Sequence, residues 1–167
     1  TREAVGVNSP VPNRGSLPDI KLPTGLHLGV DETVISMHDN KSPVTEQVRH
    51  IRTNLEVVLR EHISRPIVIT SPVSGDGKTL FSANLAAVLS DNSGHQALLV
   101  DADMRKPNQH RLYGLSASPG LADYLKGEST LDDVLCETRL PNLSVITAGH
   151  PPHHPTTQLQ SERMNEL

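Results

Sequence analysis

The chain has 167 residues, of which 20% are charged and 35% apolar, and its formal net charge at pH 7 is −4. This acidic balance gives no electrostatic reason to expect a nucleic acid as partner. The longest apolar run, ANLAAVL, is too short to span a bilayer. A single cysteine, Cys136, excludes an intrachain disulfide and is typical of a reducing compartment. Length and composition therefore favour one domain outside oxidising compartments.

The N-terminal stretch differs from the rest of the chain. It is rich in proline and glycine, and its apolar residues follow neither a helical nor a strand period. We therefore predict a flexible, largely disordered arm over residues 1–32 and a folded domain over residues 33–167. The segment ETVISMHD, residues 32–39, is predicted to form a short edge strand.

A long amphipathic helix is predicted from Ser42, the N-cap, to about Glu61, with Pro43 in its first turn. Charged residues spaced three apart form a ridge roughly 120° away from the apolar stripe. That ridge consists of Glu46, Arg49 and Arg52. The apolar stripe recurs at three- and four-residue steps and consists of Val44, Val48, Ile51, Leu55, Val58 and Leu59.

From Ile67 onward, short apolar strands alternate with helical segments. This alternation predicts parallel β–α units, and hence an α/β fold with a mostly parallel, doubly wound sheet. The predicted strands are IVIT at 67–70, ALLV at 97–100 and LSVITAG at 143–149. The predicted helices span 79–90, surround GLADYL and TLDDVL, and begin again after Pro155.

The segment SGDGKT, residues 74–79, lies between a predicted strand and a predicted helix, which is the context of a phosphate-binding loop. Glycines let successive N–H groups turn inward around an anion, and the helix adds its own free N–H groups. Lys78 is placed to reach the β- and γ-phosphates, and the Thr79 hydroxyl to ligate Mg²⁺. The alternative is a glycine-rich turn with a solvated lysine. Pro72 stands where the full motif has glycine or a small residue, which stiffens the entry to the loop.

Two carboxylates follow the predicted strand at 97–100. Asp101 and Asp103 stand at its carboxyl end, the edge of an open α/β sheet where ligands bind. Alternate residues of an extended segment project to the same side, so both are expected to face one Mg²⁺–phosphate group. The alternative is an acidic strand end that makes turn hydrogen bonds.

Three motifs occur together in this chain: GDGKT at 75–79, LLVDADMRKP at 98–107, and E-x-x-R-x-x-R at 46–52. In combination they resemble the bacterial tyrosine kinases (BY-kinases) of capsule and exopolysaccharide synthesis. The resemblance covers roughly residues 33–167. It implies a P-loop fold and a protein-tyrosine autokinase that uses ATP and Mg²⁺.

The resemblance also implies roles for individual residues and partners. Self-association into a homo-oligomer would use the 44–61 helix. The expected partners are the cytoplasmic tail of a membrane adaptor that determines chain length and a cognate tyrosine phosphatase, at the inner face of the cell membrane. The implied roles are nucleotide binding at Gly75, Asp76, Gly77, Lys78, Thr79 and Leu80, catalysis by Lys78 and Asp101 (the base), metal binding at Thr79, Asp103 and Asp101, and oligomerisation through Glu46, Arg49 and Arg52.

Departures from the family pattern leave alternatives open. Neither a further apolar–Asp-x-x-Pro motif nor a tyrosine cluster occurs in the 167 residues, so the sequence predicts the front two-thirds of a kinase domain, inactive alone. A partition-type switch ATPase is a second hypothesis, although it needs a lysine where Val73 stands. A non-catalytic oligomerising fragment is a third. A metal site in GHPPHHP, residues 149–155, is not favoured because its prolines hold the segment extended and no acidic or cysteine ligand is near.

Overall fold

A small mixed sheet with helices packed on both of its faces organises the chain. The computed structural model describes residues 30–39, 41–59, 66–91 and 96–167. Within them, the strands are β1 (Ala97–Val100), β2 (Leu135–Glu137) and β3 (Leu143–Ile146), in the spatial order β1-β3-β2. β1 and β3 pair in parallel, and β2 pairs antiparallel with β3. The arm predicted over residues 1–32 lies almost entirely outside the described residues.

Most predicted helices form where the sequence placed them. The long helix begins at Pro43 as predicted, and the helix after the phosphate-loop motif begins at Lys78. The helix predicted after Pro155 is instead two short helices separated by Gln160 and Ser161. The described helices are α1 (Ile35–His38), α2 (Pro43–Leu59), α3 (Lys78–Ser90), α4 (Gln109–Leu112), α5 (Leu121–Lys126), α6 (Leu131–Val134), α7 (Pro155–Leu159) and α8 (Glu162–Asn165).

The sheet buries one apolar cluster on each face. On one face, alanines of α3 pack with Leu143 and Val145 of β3 and with Leu99 of β1. On the other face, Ile146 packs with α5, and Val100 borders that cluster. Because side chains alternate along a strand, these two clusters fix the register of β1 and β3. The sheet is thus covered on both sides, as an α/β fold requires.

α2 packs against the side of α3 that faces away from β3. Val48 of α2 joins Leu85 and Val88 of α3 in a third buried cluster. The Ser42 hydroxyl accepts a hydrogen bond from the Thr45 N–H at 3.1 Å, as expected of an N-cap. The predicted apolar stripe is only partly correct, since Val44, Ile51 and Val58 are substantially exposed.

The strand predicted at residues 67–70 is absent from the described chain, so that prediction is wrong. The segment is extended, but its backbone has no strand partner, and the Val68 side chain is 82% exposed. β1 ends beside the other site motif, and among the described residues it is hydrogen-bonded only to β3. A strand sequence forms a strand only when a neighbour accepts its backbone hydrogen bonds, which local pattern does not reveal.

The edge strand predicted at residues 32–39 is also wrong, because these residues form a turn followed by α1. The Asp31 carboxylate accepts hydrogen bonds from the Thr33 N–H at 2.8 Å and the Thr33 hydroxyl, which bends the chain. The Ser36 N–H donates to Asn84 Oδ1 at 2.9 Å, so α1 is held against α3. Val34, the residue before α1, is fully buried in the cluster that contains the α3 alanines.

Two other elements were not predicted. β2 and α4 are short and carry little periodicity, which explains why the sequence pattern missed them. The strand predicted over residues 143–149 is confirmed only as far as Ile146, after which residues 147–149 run as a loop against residues 117–122. In the described residues, no helix combines the length and apolar character needed to cross a membrane.

Candidate nucleotide-binding site

The glycine-rich loop at residues 71–77 adopts the backbone geometry of an anion-binding turn. Gly75 and Gly77 have φ values of 98° and 84°, a region that side chains other than glycine rarely adopt. Gly77 is the N-cap of α3. Within the described chain, no hydrogen bond uses the N–H groups of Gly75, Gly77, Lys78 or Thr79. These exposed donors, at the positive end of a 13-residue helix, are suited to phosphate oxygens.

The Asp76 side chain forms a hydrogen bond within its own loop. Its Oδ2 accepts a hydrogen bond from the Val73 N–H at 3.3 Å, while the Ser71 hydroxyl donates to the Val73 carbonyl at 2.9 Å. These two contacts close the turn that begins at Pro72. Asp76 therefore shapes the loop, and any contact of its own with a nucleotide stays a prediction.

Lys78 reaches across the site to the loop that follows β1. Its Nζ lies 2.7 Å from Asp103 Oδ2. Hydrogen bonding and charge attraction to Asp103 raise the pKa of Lys78, and the same hydrogen bond lowers the pKa of Asp103. Both groups are therefore charged near neutral pH. The structure thus brings together two of the predicted site residues from segments 25 positions apart in sequence.

Asp101 is turned inward, toward the backbone of the loop that follows β1. Its carboxylate is 5% exposed and accepts three backbone N–H bonds, from Asp103 at 3.1 Å, Asn108 at 3.1 Å and Gln109 at 3.0 Å. Burial raises the pKa of Asp101, and these hydrogen bonds oppose that shift. In this geometry the Asp101 carboxylate binds N–H groups of its own loop and the Asp103 carboxylate binds Lys78, and a metal ion shared by both stays a prediction. Asp101 holds the loop, and its role as a base stays a prediction.

Gln109 links the two halves of the site and was missed by sequence reasoning. Its side-chain Nε2 donates to the Thr79 carbonyl at 3.0 Å and to the Ser82 hydroxyl at 2.8 Å, while its backbone N–H donates to Asp101. Gln109 is 3% exposed. It therefore fixes the first turn of α3 relative to the loop after β1. A glutamine six residues after the D-x-D motif carried no recognisable signal.

The residues present fit a Mg²⁺–nucleotide. The Thr79 hydroxyl and the Asp103 carboxylate are oxygen ligands of the kind Mg²⁺ takes, and Mg²⁺ usually completes its shell with phosphate oxygens and water. In the described chain, this site included, no three histidine, cysteine or acidic side chains converge on a metal position. Leu80, 37% exposed, follows on the first turn of α3 and has no polar group to contribute.

A cavity of about 450 Å³ opens beside the loop. Lys78 and Asp76 stand on its wall together with apolar residues of three segments. Those residues are Ile51 and Leu55 of α2, Phe81 and Leu85 of α3, and the extended segment Ile67, Val68 and Ile69. The loop's charged end thus adjoins a largely apolar space.

The predicted oligomerisation residues lie apart from this site, on α2 beside the end of α3. Arg49 contacts Glu46 at 2.7 Å and Asp91 at 3.6 Å. Arg52 donates to the Val88 carbonyl at 3.1 Å. The ridge therefore makes internal contacts in the single chain, and its role between chains stays a prediction.

The histidine-containing segment at 149–155 makes a polar contact with α5. His150 Nδ1 lies 2.9 Å from Asp123 Oδ1, and Asp123 Oδ2 accepts from the Gly120 N–H at 2.8 Å. Burial acts to raise the pKa of Asp123, but the hydrogen bonds from His150 and Gly120 outweigh it, so the pKa is lowered. Asp123 therefore fastens the loop after β3 to the start of α5.

Comparison with known proteins agrees with this geometry. Residues 67–146 match the CobQ/CobB/MinD/ParA nucleotide-binding domain family. The putative tyrosine-protein kinase CapB of Staphylococcus aureus is 37% identical over 136 residues, which cover 78% of this chain and 59% of CapB. The chain therefore spans less than two thirds of this relative's length.

Solved structures give the same result for the fold. The chimerical protein CapA2B2 superposes with a TM-score of 0.76 at 33% identity, covering 84% of this chain and 64% of that one. The kinase domain of the Escherichia coli tyrosine kinase ETK gives a TM-score of 0.75 at 32% identity. The match covers 80% of this chain and 52% of the ETK kinase domain. The P-loop fold and the family resemblance are thus confirmed, and the chain is a homologue of bacterial tyrosine-kinase domains.

Proposed function

We propose that this chain is the nucleotide-binding part of an ATP- and Mg²⁺-dependent protein-tyrosine kinase. Its phosphate loop would hold the β- and γ-phosphates, and Asp103, with the Thr79 hydroxyl, would hold the ion. Bound Mg²⁺ neutralises charge that develops on the transferred phosphoryl group. Because the chain spans little more than half of CapB and of the ETK kinase domain, phosphotransfer is proposed for the whole protein.

The observation that carries the proposal is the Lys78–Asp103 ion pair at the open N-terminus of α3. Lys78 follows two glycines with left-handed backbone conformation, and its ammonium group lies 2.7 Å from the Asp103 carboxylate, just after β1. The pair brings together the two charges that a metal-bound phosphate needs. A solvated lysine would have no reason to lie there. The unused N–H groups of the loop support the same ligand class.

The first test is equilibrium binding of a fluorescent ATP analogue in the presence of Mg²⁺. Lys78→Met should weaken binding by roughly tenfold to a hundredfold, because it removes a charge-assisted hydrogen bond to phosphate. Lys126→Met removes the same charge from α5, outside the site, and should leave affinity unchanged. Equal binding by both variants would contradict the proposal.

Transfer to tyrosine is tested separately. The whole protein should move ³²P from labelled ATP to a tyrosine peptide, whereas a nucleotide-dependent switch would hydrolyse ATP and dimerise without labelling it. Capsule or exopolysaccharide synthesis, the membrane adaptor, the cognate tyrosine phosphatase and a position at the inner membrane face belong to this proposal through the family resemblance. Adaptor-tail capture of the whole protein would support that placement, and its failure would leave the nucleotide site unaffected.

A further inference from the structure

A closed ring of polar contacts joins the first turn of α3 to the loop after β1. The Gln109 side-chain Nε2 donates to the Thr79 carbonyl at 3.0 Å, and the Gln109 backbone N–H donates to Asp101 Oδ2 at 3.0 Å. Asp101 Oδ1 accepts from the Asp103 N–H at 3.1 Å, and Asp103 Oδ2 lies 2.7 Å from Lys78 Nζ. Since Lys78 and Thr79 are neighbours in the chain, the ring closes there. It therefore determines where Thr79 stands relative to Asp103.

Two side chains carry the polar contacts that cross between these segments in the described chain, and they differ in what a ligand would do to them. The Lys78 and Asp103 side chains are 32% and 25% exposed, and in the proposed function Lys78 turns to a phosphate and Asp103 to the ion. Gln109 is 3% exposed. Its crossing bonds end at the Thr79 carbonyl and the Ser82 hydroxyl, neither of which the proposed function assigns to a ligand. Among the described residues, Gln109 is thus the polar link that persists when the site is filled.

The Gln109 amide is held in this place without being fully satisfied. Its Oε1 is buried and, within the part of the chain that the structure describes, has no hydrogen-bond partner. A buried polar atom without a partner is uncommon in folded proteins, and its desolvation is unfavourable. Such departures from an ideal interior are expected beside functional sites, where the position of a group matters more than its contribution to stability.

We propose that Gln109 is a positioning residue for a metal-bound nucleotide, an inference that rests on the proposed function. Through the ring, Gln109 holds the Thr79 hydroxyl and the Asp103 carboxylate, which come from different segments, in a fixed relative position. Mg²⁺ requires near-ideal octahedral geometry, so ligands on two segments bind it well only when their relative position is right. Replacing a residue that holds metal ligands in place typically changes metal affinity by about 10–100-fold. Gln109 itself contacts neither the ion nor the nucleotide.

The test is calorimetric titration of the unmodified chain and of Gln109→Met with ADP, in EDTA and in Mg²⁺. The quantity compared is the Mg²⁺ factor, the ratio by which Mg²⁺ raises the affinity for ADP. Gln109→Met should lower this factor by about tenfold, because Thr79 and Asp103 are no longer held in register. The affinity for ADP in EDTA should change by less than about threefold, because the N–H groups of the phosphate loop and Lys78 remain.

Tyr113→Phe is the matched control. Tyr113 directly follows α4 and is buried, and its hydroxyl donates to the Ala83 carbonyl of α3 at 2.8 Å. This change therefore also removes a buried hydrogen bond to α3, but from outside the ring. It should lower the free energy of unfolding as Gln109→Met does, while leaving the Mg²⁺ factor unchanged. Urea denaturation of both variants ensures that the titrations compare folded chains.

Hydrogen exchange without nucleotide gives an independent readout. The Asp103 and Asn108 amides donate to the Asp101 carboxylate within the loop. Because Gln109 ties this loop to α3, both amides should exchange at least about tenfold faster in Gln109→Met than in the unmodified chain. The Leu121 amide of α5, whose hydrogen bond lies outside the ring, should exchange at the same rate in both.

An unchanged Mg²⁺ factor in Gln109→Met would overturn the proposal, and so would an equal loss in Tyr113→Phe, which would give both residues a purely structural role. Unchanged exchange of the Asp103 and Asn108 amides would also overturn it, because the Gln109 side chain would then not hold the loop. In each of these cases the unmodified chain still binds ADP, so the proposed function stands. An unmodified chain that bound ADP in neither solution would contradict the proposed function itself, and this inference with it.

Discussion

At the scale of single residues, the Lys78–Asp103 pair determines how the empty site responds to ligands. The Asp103 carboxylate binds the ammonium group of Lys78, which a phosphate would otherwise contact. Asp103→Asn should therefore tighten ADP binding measured without divalent cations, because the competing carboxylate charge is gone. The same change should abolish the extra affinity that Mg²⁺ provides, because the proposed carboxylate ligand of the ion is lost.

Calorimetric titration with ADP, in EDTA and in Mg²⁺, measures both effects. Asp132→Asn, which removes a carboxylate from α6 outside the site, is the control and should alter neither titration. If Asp103→Asn weakened ADP binding equally in EDTA and in Mg²⁺, the ion pair would stabilise the fold of the site rather than compete with the phosphate and bind the metal ion.

Gln109 permits a test of structure rather than affinity. Gln109→Met keeps the length of the side chain but removes the donor to the Ser82 hydroxyl and one of the donors to the Thr79 carbonyl, which still accepts from the Ser82 hydroxyl. The free energy of unfolding should fall by about 1–3 kcal/mol. Urea denaturation measures it, and Gln160→Met on the exposed turn after α7 should change it by less than about 0.5 kcal/mol. An unchanged value for Gln109→Met would contradict the linking role.

The contrast between Lys78 and Gln109 shows what sequence can predict at this scale. The loop, its lysine and the D-x-D residues are local patterns whose chemistry depends on neighbours a few positions away. Gln109 acts on Thr79, 30 positions earlier, and on the backbone geometry of α4, which no short pattern encodes. The inward turn of Asp101 was missed for the same reason, since its donors at 108 and 109 come from the far end of the loop.

At the scale of elements, the contact between α5 and the loop after β3 depends on Asp123. The lowered pKa of Asp123 means that its contribution to stability is present above its ordinary value of 3.8 and is lost as the pH falls through the lowered value. Asp123→Asn should reduce the free energy of unfolding by about 1–3 kcal/mol at pH 7. The difference from the unmodified chain should narrow below about pH 4.

Urea denaturation at a series of pH values checks this prediction. Asp132→Asn, on the exposed side of α6, is the control and should show neither the loss at pH 7 nor the narrowing. A destabilisation by Asp123→Asn that is the same at every pH would mean that the side chain's shape, rather than its charge, fastens the loop.

Elements with a clear apolar pattern were mostly predicted correctly, and the failures lie where contacts with distant residues decide the outcome. α2 and α3 follow from capping and apolar spacing, and β1 and β3 from short runs of Leu, Ile and Val residues. Residues 67–70 carry the same strand pattern as β1, yet they remain unpaired because a strand is completed by another segment's backbone. The strand predicted at residues 32–39 did not form for the opposite reason. Hydrogen bonds from Asp31 and Asn84 favour a turn and a helix there over a weak strand pattern.

At the scale of the whole molecule, the charged ridge on α2 has two roles to separate. Arg52 donates to the Val88 carbonyl in the last turn of α3, so it stabilises the single chain, whereas Glu46 is exposed and pairs only weakly with its neighbour. Arg52→Met should therefore lower the free energy of unfolding by about 1–2 kcal/mol in dilute solution. Glu46→Gln should leave it within about 0.5 kcal/mol.

If the ridge also joins chains, both variants should lower the mean mass that light scattering measures in concentrated solution. Glu128→Gln, beyond the end of α5, should not alter that mass. Because Glu46→Gln leaves the single chain intact, a loss of mass in that variant cannot come from unfolding and must reflect a contact between chains. If neither ridge variant changed the mean mass, the ridge would serve only to hold α2 against α3 within one chain.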